Sequence, residues 1–188
     1  MIHRLFGLAV ALALVPTVGT AEVLRSAPDA MVIEHRFSMP VTPESAWAVL
    51  IHPERYWPDD HTWSGKASNM SLSPEAGGCF CERWQDGSAE HGRIIMAQRG
   101  RLLRFRGSLG PFQEMAVSGV LTVKLSAIEG GTEAVVTYRL SGDDSHALDA
   151  SATVVDRVIG EQFGNFAKLA SSTGSRPLFW PTWKKRET

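Results

Sequence analysis

Apolar and polar positions alternate with a period of two over Met31 to Met39, where Ile33, His35, Phe37 and Met39 share one face and Val32, Glu34, Arg36 and Ser38 the other, so a strand is expected. Thr42-Pro43-Glu44 then opens a helix. Threonine suits the N-cap, proline the first helical position and glutamate the first turn, and Trp47, Leu50 and Ile51 fall on one side. His52-Pro53 ends it, because a residue before proline avoids the helical region, and Glu54 to Trp57 allow one further helical turn. From His61 the period returns to two. Strands are expected over His61 to Ser73 with an interruption, Gly78 to Trp84, Ala89 to Ala97, Arg101 to Gly107, Met115 to Ala127 and Thr132 to Leu140, separated by turns such as Asp86-Gly87 and Gly130-Gly131. Short connections between consecutive strands imply an antiparallel meander.

The last predicted element is a long helix from about Ala147 to Ser171. At 100° per residue, Leu148, Val155, Val158, Ile159, Phe163, Phe166 and Leu169 cluster on one side, with Arg157, Glu161, Gly164 and Lys168 opposite. Gln162 sits inside the apolar arc, where its amide must find a partner in the core or in something bound there. Residues 173–188, rich in Trp and Pro, show no period and read as a tail. Strand, short helix, meander and long amphipathic helix together make an α+β design, with a curved antiparallel sheet wrapped around a long C-terminal helix.

Met1 to Ala21 does not join this pattern. His3-Arg4, an apolar run from Leu5 to Val15, and the small residues Gly19-Thr20-Ala21 have the layout of a signal peptide cleaved after Ala21, and Pro16 cuts the run short of a bilayer span. The expected location is therefore periplasmic or secreted, with no stable membrane insertion after cleavage. A formal net charge of -1, from 19 Lys+Arg against 20 Asp+Glu, gives no basic field, so nucleic acid is not an expected partner. Outside the cytosol, Cys79 and Cys81 are open to three readings: two small buried thiols, a strained disulfide, or two of the ligands of a metal, though one Cys-x-Cys pair supplies too few for zinc.

Several stretches carry a resemblance. Val41-Thr42-Pro43-Glu44-Ser45-Ala46-Trp47 after the first strand, Gly77-Gly78, Gly130-Gly131-Thr132 and the helix from Val154 to Leu169 resemble the START-like (SRPBCC) superfamily, in its polyketide-cyclase and Hsp-ninety-ATPase-activator-like branches. His61-Thr62-Trp63-Ser64-Gly65, Gly78-Cys79-Phe80-Cys81-Glu82 and Leu109-Gly110-Pro111 look like an exported bacterial group within it. The resemblance covers roughly Met31 to Ala170, within one expected domain at residues 31–172, and implies a helix-grip fold with a cavity between sheet and helix that accepts a hydrophobic small molecule; no cofactor or metal is expected, and no particular reaction is implied.

Six Trp in so small a chain suit an aromatic wall. Trp57, Trp63, Trp84, Phe105, Phe112, Met115, Tyr138, Gln162, Phe163 and Phe166 are the expected ligand-binding residues, against the alternative that the aromatics simply fill the core. If Asp86-Gly87 is a two-residue turn, Glu82 stands opposite His91 and Phe80 opposite Arg93. A carboxylate and an imidazole in reach could work as an acid/base pair of a cyclase or isomerase, or be a structural pair on a solvated face. Asp59, Asp60 and His61 read as solvated charges more readily than as a metal cluster. No phosphate loop, nucleophile elbow, metalloprotease motif or dinucleotide fingerprint occurs, which disfavours common hydrolases and kinases. The leading expectation is a carrier that encloses a lipid or polyketide-like molecule.

Overall fold

The computed structural model of the chain describes residues 21–173, so both the leader, apart from Ala21, and the tail beyond Thr173 lie outside the described residues. Eight strands form one antiparallel sheet: β1 (Ala21–Ala27), β2 (Ala30–Met39), β3 (Met70–Leu72), β4 (Cys79–Trp84), β5 (Gly87–Gln98), β6 (Leu102–Arg106), β7 (Ser118–Ile128) and β8 (Gly131–Ser141). They lie in the order β1-β2-β8-β7-β6-β5-β4-β3, so the meander is joined at β8 by the first hairpin. Two helices, α1 (Pro43–Leu50) and α2 (Ala152–Thr173), pack on the concave face. No described helix is long and apolar enough to cross a membrane.

The local chemistry of α1 explains its limits. Thr42 Oγ1 accepts the Ser45 N–H at 3.2 Å, Pro43 needs no donor there, and the chain leaves the helix at His52-Pro53 for a single 3-10 turn over Pro53–Arg55. Its buried side chains are Ala46, Trp47, Val49 and Leu50. Below α2, inward residues of the sheet alternate as the period of two requires: Met31 and Ile33 on β2, Ala134, Val136, Tyr138 and Leu140 on β8, Leu121, Val123 and Leu125 on β7. Against them α2 buries Val155, Ile159, Phe163, Phe166 and Ala170. One polar contact also ties helix to sheet. His35, buried on β2, has Nε2 3.0 Å from the Asp156 carbonyl oxygen and 2.9 Å from its carboxylate.

Two expectations give way here. The stretch His61 to Ser73 is mostly not strand: 3-10 turns at Asp59–His61 and Ala67–Asn69 leave only Met70–Leu72 extended. Asp59 is the physical reason, since its Oδ1 takes the Ala67 N–H at 2.7 Å and its carbonyl takes the Thr62 hydroxyl at 2.6 Å, folding the chain back on itself. The final helix starts later than expected, at Ala152, after two 3-10 turns hinged on Ala147 in the left-handed region at φ 48°. β1 adds an element upstream of Met31, paired from Ala21↔His35 to Ala27↔Ala30.

Candidate functional site

Between the first three turns of α2 and the concave sheet lies a cavity of about 470 Å³, within the usual range for a small-molecule site. Val155, Val158 and Ile159 of α2 form one wall, and Trp57, Tyr138 and His91 stand on the sheet side. The segment Leu109–Phe112 with Met115, and the turn Asp60–Trp63, close its sides. At the mouth Trp63 and Val154 are 47% and 53% exposed, an apolar rim around an apolar interior. Trp63 is held in place there: its indole N–H donates to Gln113 Oε1 at 3.2 Å, and the Gln113 amide donates to the Glu90 carbonyl at 2.8 Å.

Of the ten residues expected to bind ligand, Trp57, Trp63, Phe112, Met115, Tyr138 and Gln162 line this cavity. The other four do not. Phe163 and Phe166 follow Gln162 on α2 and turn to the core, where Phe163 meets the edge of Trp57 at 6.2 Å and Phe166 packs on Tyr56 at 5.6 Å. Phe105 sits behind the wall, 5.4 Å from Phe80, in the space that Gly92 leaves open, since a Cβ at Gly92 would lie 2.6 Å from the Phe105 ring. Trp84 ends β4 with its ring over Gly87, away from α2.

The sequence pairing of Glu82 with His91 names the right contact in the wrong register. The turn falls on Gln85-Asp86, with Trp84↔Gly87 and Glu82↔Ala89 as partners, because only glycine fits beneath the Trp84 ring: a Cβ at Gly87 would lie 2.5 Å from it. Phe80 then pairs with Gly92 and Cys79, not Phe80, with Arg93. The register slips between Phe80 and Cys81, leaving His91 as the extra residue. A bulge re-aims the side chain it carries. Here it swings the imidazole toward Glu82: His91 Nε2 lies 3.0 Å from Glu82 Oε2.

Both groups are buried, Glu82 at 0% and His91 at 4% exposure, and His91 lines the cavity while Glu82 stands behind it. Glu82 also accepts the Ser64 N–H at 2.6 Å and the Trp63 N–H at 3.0 Å. Burial works to raise its carboxyl, but the bonds from Ser64, Trp63 and His91 together outweigh it and hold the group below the usual carboxylate range. Burial pulls the His91 imidazole below its ordinary value despite the carboxylate beside it. A neutral imidazole facing an ionised carboxylate donates Nε2–H, which leaves the Nδ1 lone pair for the cavity. Tyr138 has no such reserve. Its hydroxyl accepts the Leu109 N–H at 2.9 Å and donates to the Gly107 carbonyl at 3.4 Å, and burial pushes the phenol well up.

Gln162, 4% exposed, has no hydrogen-bond partner for Oε1 among the described residues, and neither has the buried Nδ1 of His61. Asp59 and Asp60 are exposed, as expected of solvated loop charges; Asp59 also accepts the Ala67 N–H, and Asp60 and half-buried His61 line the cavity. The lining by Leu109, Gly110 and Pro111 comes from a loop, which has no period to signal it. Cys79 and Cys81 are joined as a disulfide with Cα atoms 5.4 Å apart, less than the roughly 6.5 Å of a regular strand. Glu90 completes a possible three-donor group with them, but the two sulfurs are committed to each other.

No protein-family model matches the chain, and no curated protein does. Solved structures do. A protein from Rhizobium leguminosarum is 18% identical, with a TM-score of 0.55 over 83% of this chain and 99% of that one. The crystal structure of Ara h 8.0201 is 14% identical, with a TM-score of 0.53 over 76% of this chain and 99% of its own. A point mutant of norcoclaurine synthase from Thalictrum flavum, in complex with a transition-state analogue, is 12% identical, with a TM-score of 0.54 over 78% and 97%. Identities this low speak for the fold alone: the chain is an α+β protein with the helix-grip fold, a curved antiparallel sheet closed by its C-terminal helix.

Proposed function

We propose that this chain is an exported protein that holds a hydrophobic or amphipathic small molecule, lipid- or polyketide-like in its apolar bulk, between the sheet and α2. The observation that carries this reading is the cavity itself: about 470 Å³, walled by Trp57, Met115, Val155 and Ile159. A ligand that covers these apolar walls removes them from water and so stabilises the folded protein. The fold is a ligand-binding one in general, as its neighbours suggest. The leader supports export, and recovery of a chain that begins at or near Glu22 from the cell envelope is the expected result. A chain that keeps Met1 would refute it. Binding is tested by native mass spectrometry of protein purified from its own envelope. A retained small molecule released on unfolding supports the carrier reading, and an empty protein that also takes up no neutral apolar dye contradicts it.

A second reading is favoured by one specific observation, the inward-facing Glu82–His91 pair. With Nε2–H held on the carboxylate, His91 Nδ1 is a base at the cavity wall, and Glu82 would stabilise the imidazolium formed when it takes a proton from a bound substrate. That is the arrangement a cyclase or isomerase needs. A carrier keeps its bound molecule unchanged; an enzyme exchanges an acidic C–H of it with solvent at a rate that falls by two or more orders of magnitude in His91→Phe, roughly the worth of one general base.

A further inference from the structure

The convex face of the sheet gathers positive charge. Arg93, Arg106 and Arg139 stand in one cross-strand row of β5 to β8, through the partners Arg93↔Arg106, Arg106↔Val120 and Val120↔Arg139. Arg104 and Lys124 occupy the same face, opposite Thr122 and Leu102. The acids nearby are already engaged: Glu90 pairs with Arg93, and Glu34 and Glu133 pair with Arg36. Arg104 donates to the Thr122 hydroxyl at 2.9 Å. Arg106, Lys124 and Arg139 are exposed and have no hydrogen bond or ion pair among the described residues. Arg93 and Arg106 oppose each other directly, a like-charge pairing that costs stability and is relieved when an anion lies over both.

The net charge of -1 hides this segregation. From His91 to Ile128 the chain holds six basic residues and one acid, Glu114, whereas from Gly142 to Glu161, through the start of α2, it holds five acids and one base, Arg157. We propose that the convex face of β5 to β8 docks on an anionic phospholipid bilayer, with Arg93, Arg104, Arg106, Lys124 and Arg139 against the phosphates. The proposal goes beyond the small-molecule reading and does not depend on it. The cations are spread over four strands, about 4.8 Å apart from strand to strand and about 6.7 Å between outward positions along one strand. An open field of this kind reads charge density rather than the shape of a protein epitope, and guanidinium groups match phosphate oxygens two at a time. Met96, 37% exposed opposite Arg104, adds apolar surface among the cations, a mixture that a headgroup layer accommodates. The same lipid surface repels the acidic start of α2, so the sheet side faces it.

Co-sedimentation of the full mature chain with vesicles tests it. At low ionic strength the chain should bind phosphatidylcholine vesicles that contain phosphatidylglycerol, leave vesicles of phosphatidylcholine alone, and come off as salt is raised. Arg106→Gln and Arg139→Gln should each weaken partitioning by about fivefold, and together by about 25-fold. Lys168→Gln, at an exposed cation on α2, should change it by less than about twofold. Neither arginine has a partner to lose, so urea midpoints should stay unchanged and a loss of binding is not a loss of fold. Equal binding to neutral vesicles overturns the proposal, as does binding that the double variant keeps, the result expected if Lys184-Lys185-Arg186 carried it. Binding to soluble polyglutamate but to no vesicle assigns the face to an acidic protein and overturns it too, and so does failure to bind either. None of these results touches the cavity reading.

Discussion

Glu82→Gln is the most informative single change in this protein. The carboxylate receives three donors, Ser64 N–H on Oε1 at 2.6 Å, and Trp63 N–H and His91 Nε2–H on Oε2 at 3.0 Å each. A glutamine of the same shape has one carbonyl oxygen. Whichever way the amide turns, its NH2 faces at least one donor, so one charge-assisted bond, worth about 1.5–3 kcal/mol, is lost and a buried N–H is left unpaired at about 1–3 kcal/mol. Partial relaxation of the exposed Trp63 segment offsets some of this, and a net loss of about 2–4 kcal/mol is expected. For a chain of this size that lowers Tm by roughly 5–15 °C. Thermal and urea unfolding followed by circular dichroism measure it. The titration gives a second, independent signature. Glu82 is held below its ordinary value of 4.5 in the folded state, so its stabilisation is present above pH 4.5 and is lost as pH falls through the lower folded value. The glutamine variant lacks that part of the acid-induced loss. A change in stability below about 0.5 kcal/mol, with the acid limb of the stability curve unaltered, would refute the claim that Glu82 fastens the Asp60–Trp63 side of the cavity and His91 to the sheet.

Gln162→Leu should stabilise the ligand-free protein by about 1 kcal/mol, raising Tm by about 2–4 °C, because it removes a buried acceptor without a partner; calorimetry showing destabilisation instead would mean that the amide is satisfied in the empty protein. His91 lies below its ordinary value of 6.5 when folded, so the unfolded chain binds its proton first, and stability should start to fall as pH drops below about 6.5; in His91→Phe, urea midpoints between pH 7 and 5 should be flatter. Gly107→Ala places a Cβ 2.1 Å from the His91 carbonyl oxygen, a backbone atom that cannot swing away, and should cost about 1–3 kcal/mol in urea unfolding while disturbing the bulge that aims His91. Phe166→Ala, at a fully buried position remote from the cavity, should cost about 3–5 kcal/mol, read from the same assay, with less effect on ligand affinity than on stability.

What could be read from the sequence was whatever a local rule controls. Thr42-Pro43-Glu44 starts α1 and His52-Pro53 ends it as capping chemistry requires, and the period of two places β2 and β4 to β8 within a few residues of their observed limits. Gln162 inside an apolar arc was enough to predict its burial. What could not be read depends on contacts distant in the chain. The turn moves to Gln85-Asp86 because the Trp84 ring needs Gly87 beneath it, and the bulge at His91 answers Glu82, neither of which periodicity encodes. The helical projection put Phe163 and Phe166 on the inner face correctly, but an angle around the axis says nothing of height along it. At 1.5 Å per residue, Phe166 stands about 6 Å beyond Gln162, far enough to leave the cavity for the core around Tyr56. β1 was missed because Ala21–Ala27 follows directly on the residues read as a leader and is only weakly alternating; its partner on β2 defines it.

The central claim, a small molecule enclosed between α2 and the sheet, is tested most directly by where a ligand perturbs the protein. Amide and methyl NMR spectra recorded through a titration with 9-phenanthrol should shift saturably at Met115, Val155, Ile159 and the Gln162 side-chain amide, lining residues drawn from loop and helix alike, and hardly at all at Val23 and Leu24 on β1 or Ile128 at the end of β7. Shifts that gather on those exposed apolar residues, or none that saturate at the lining, would contradict the account.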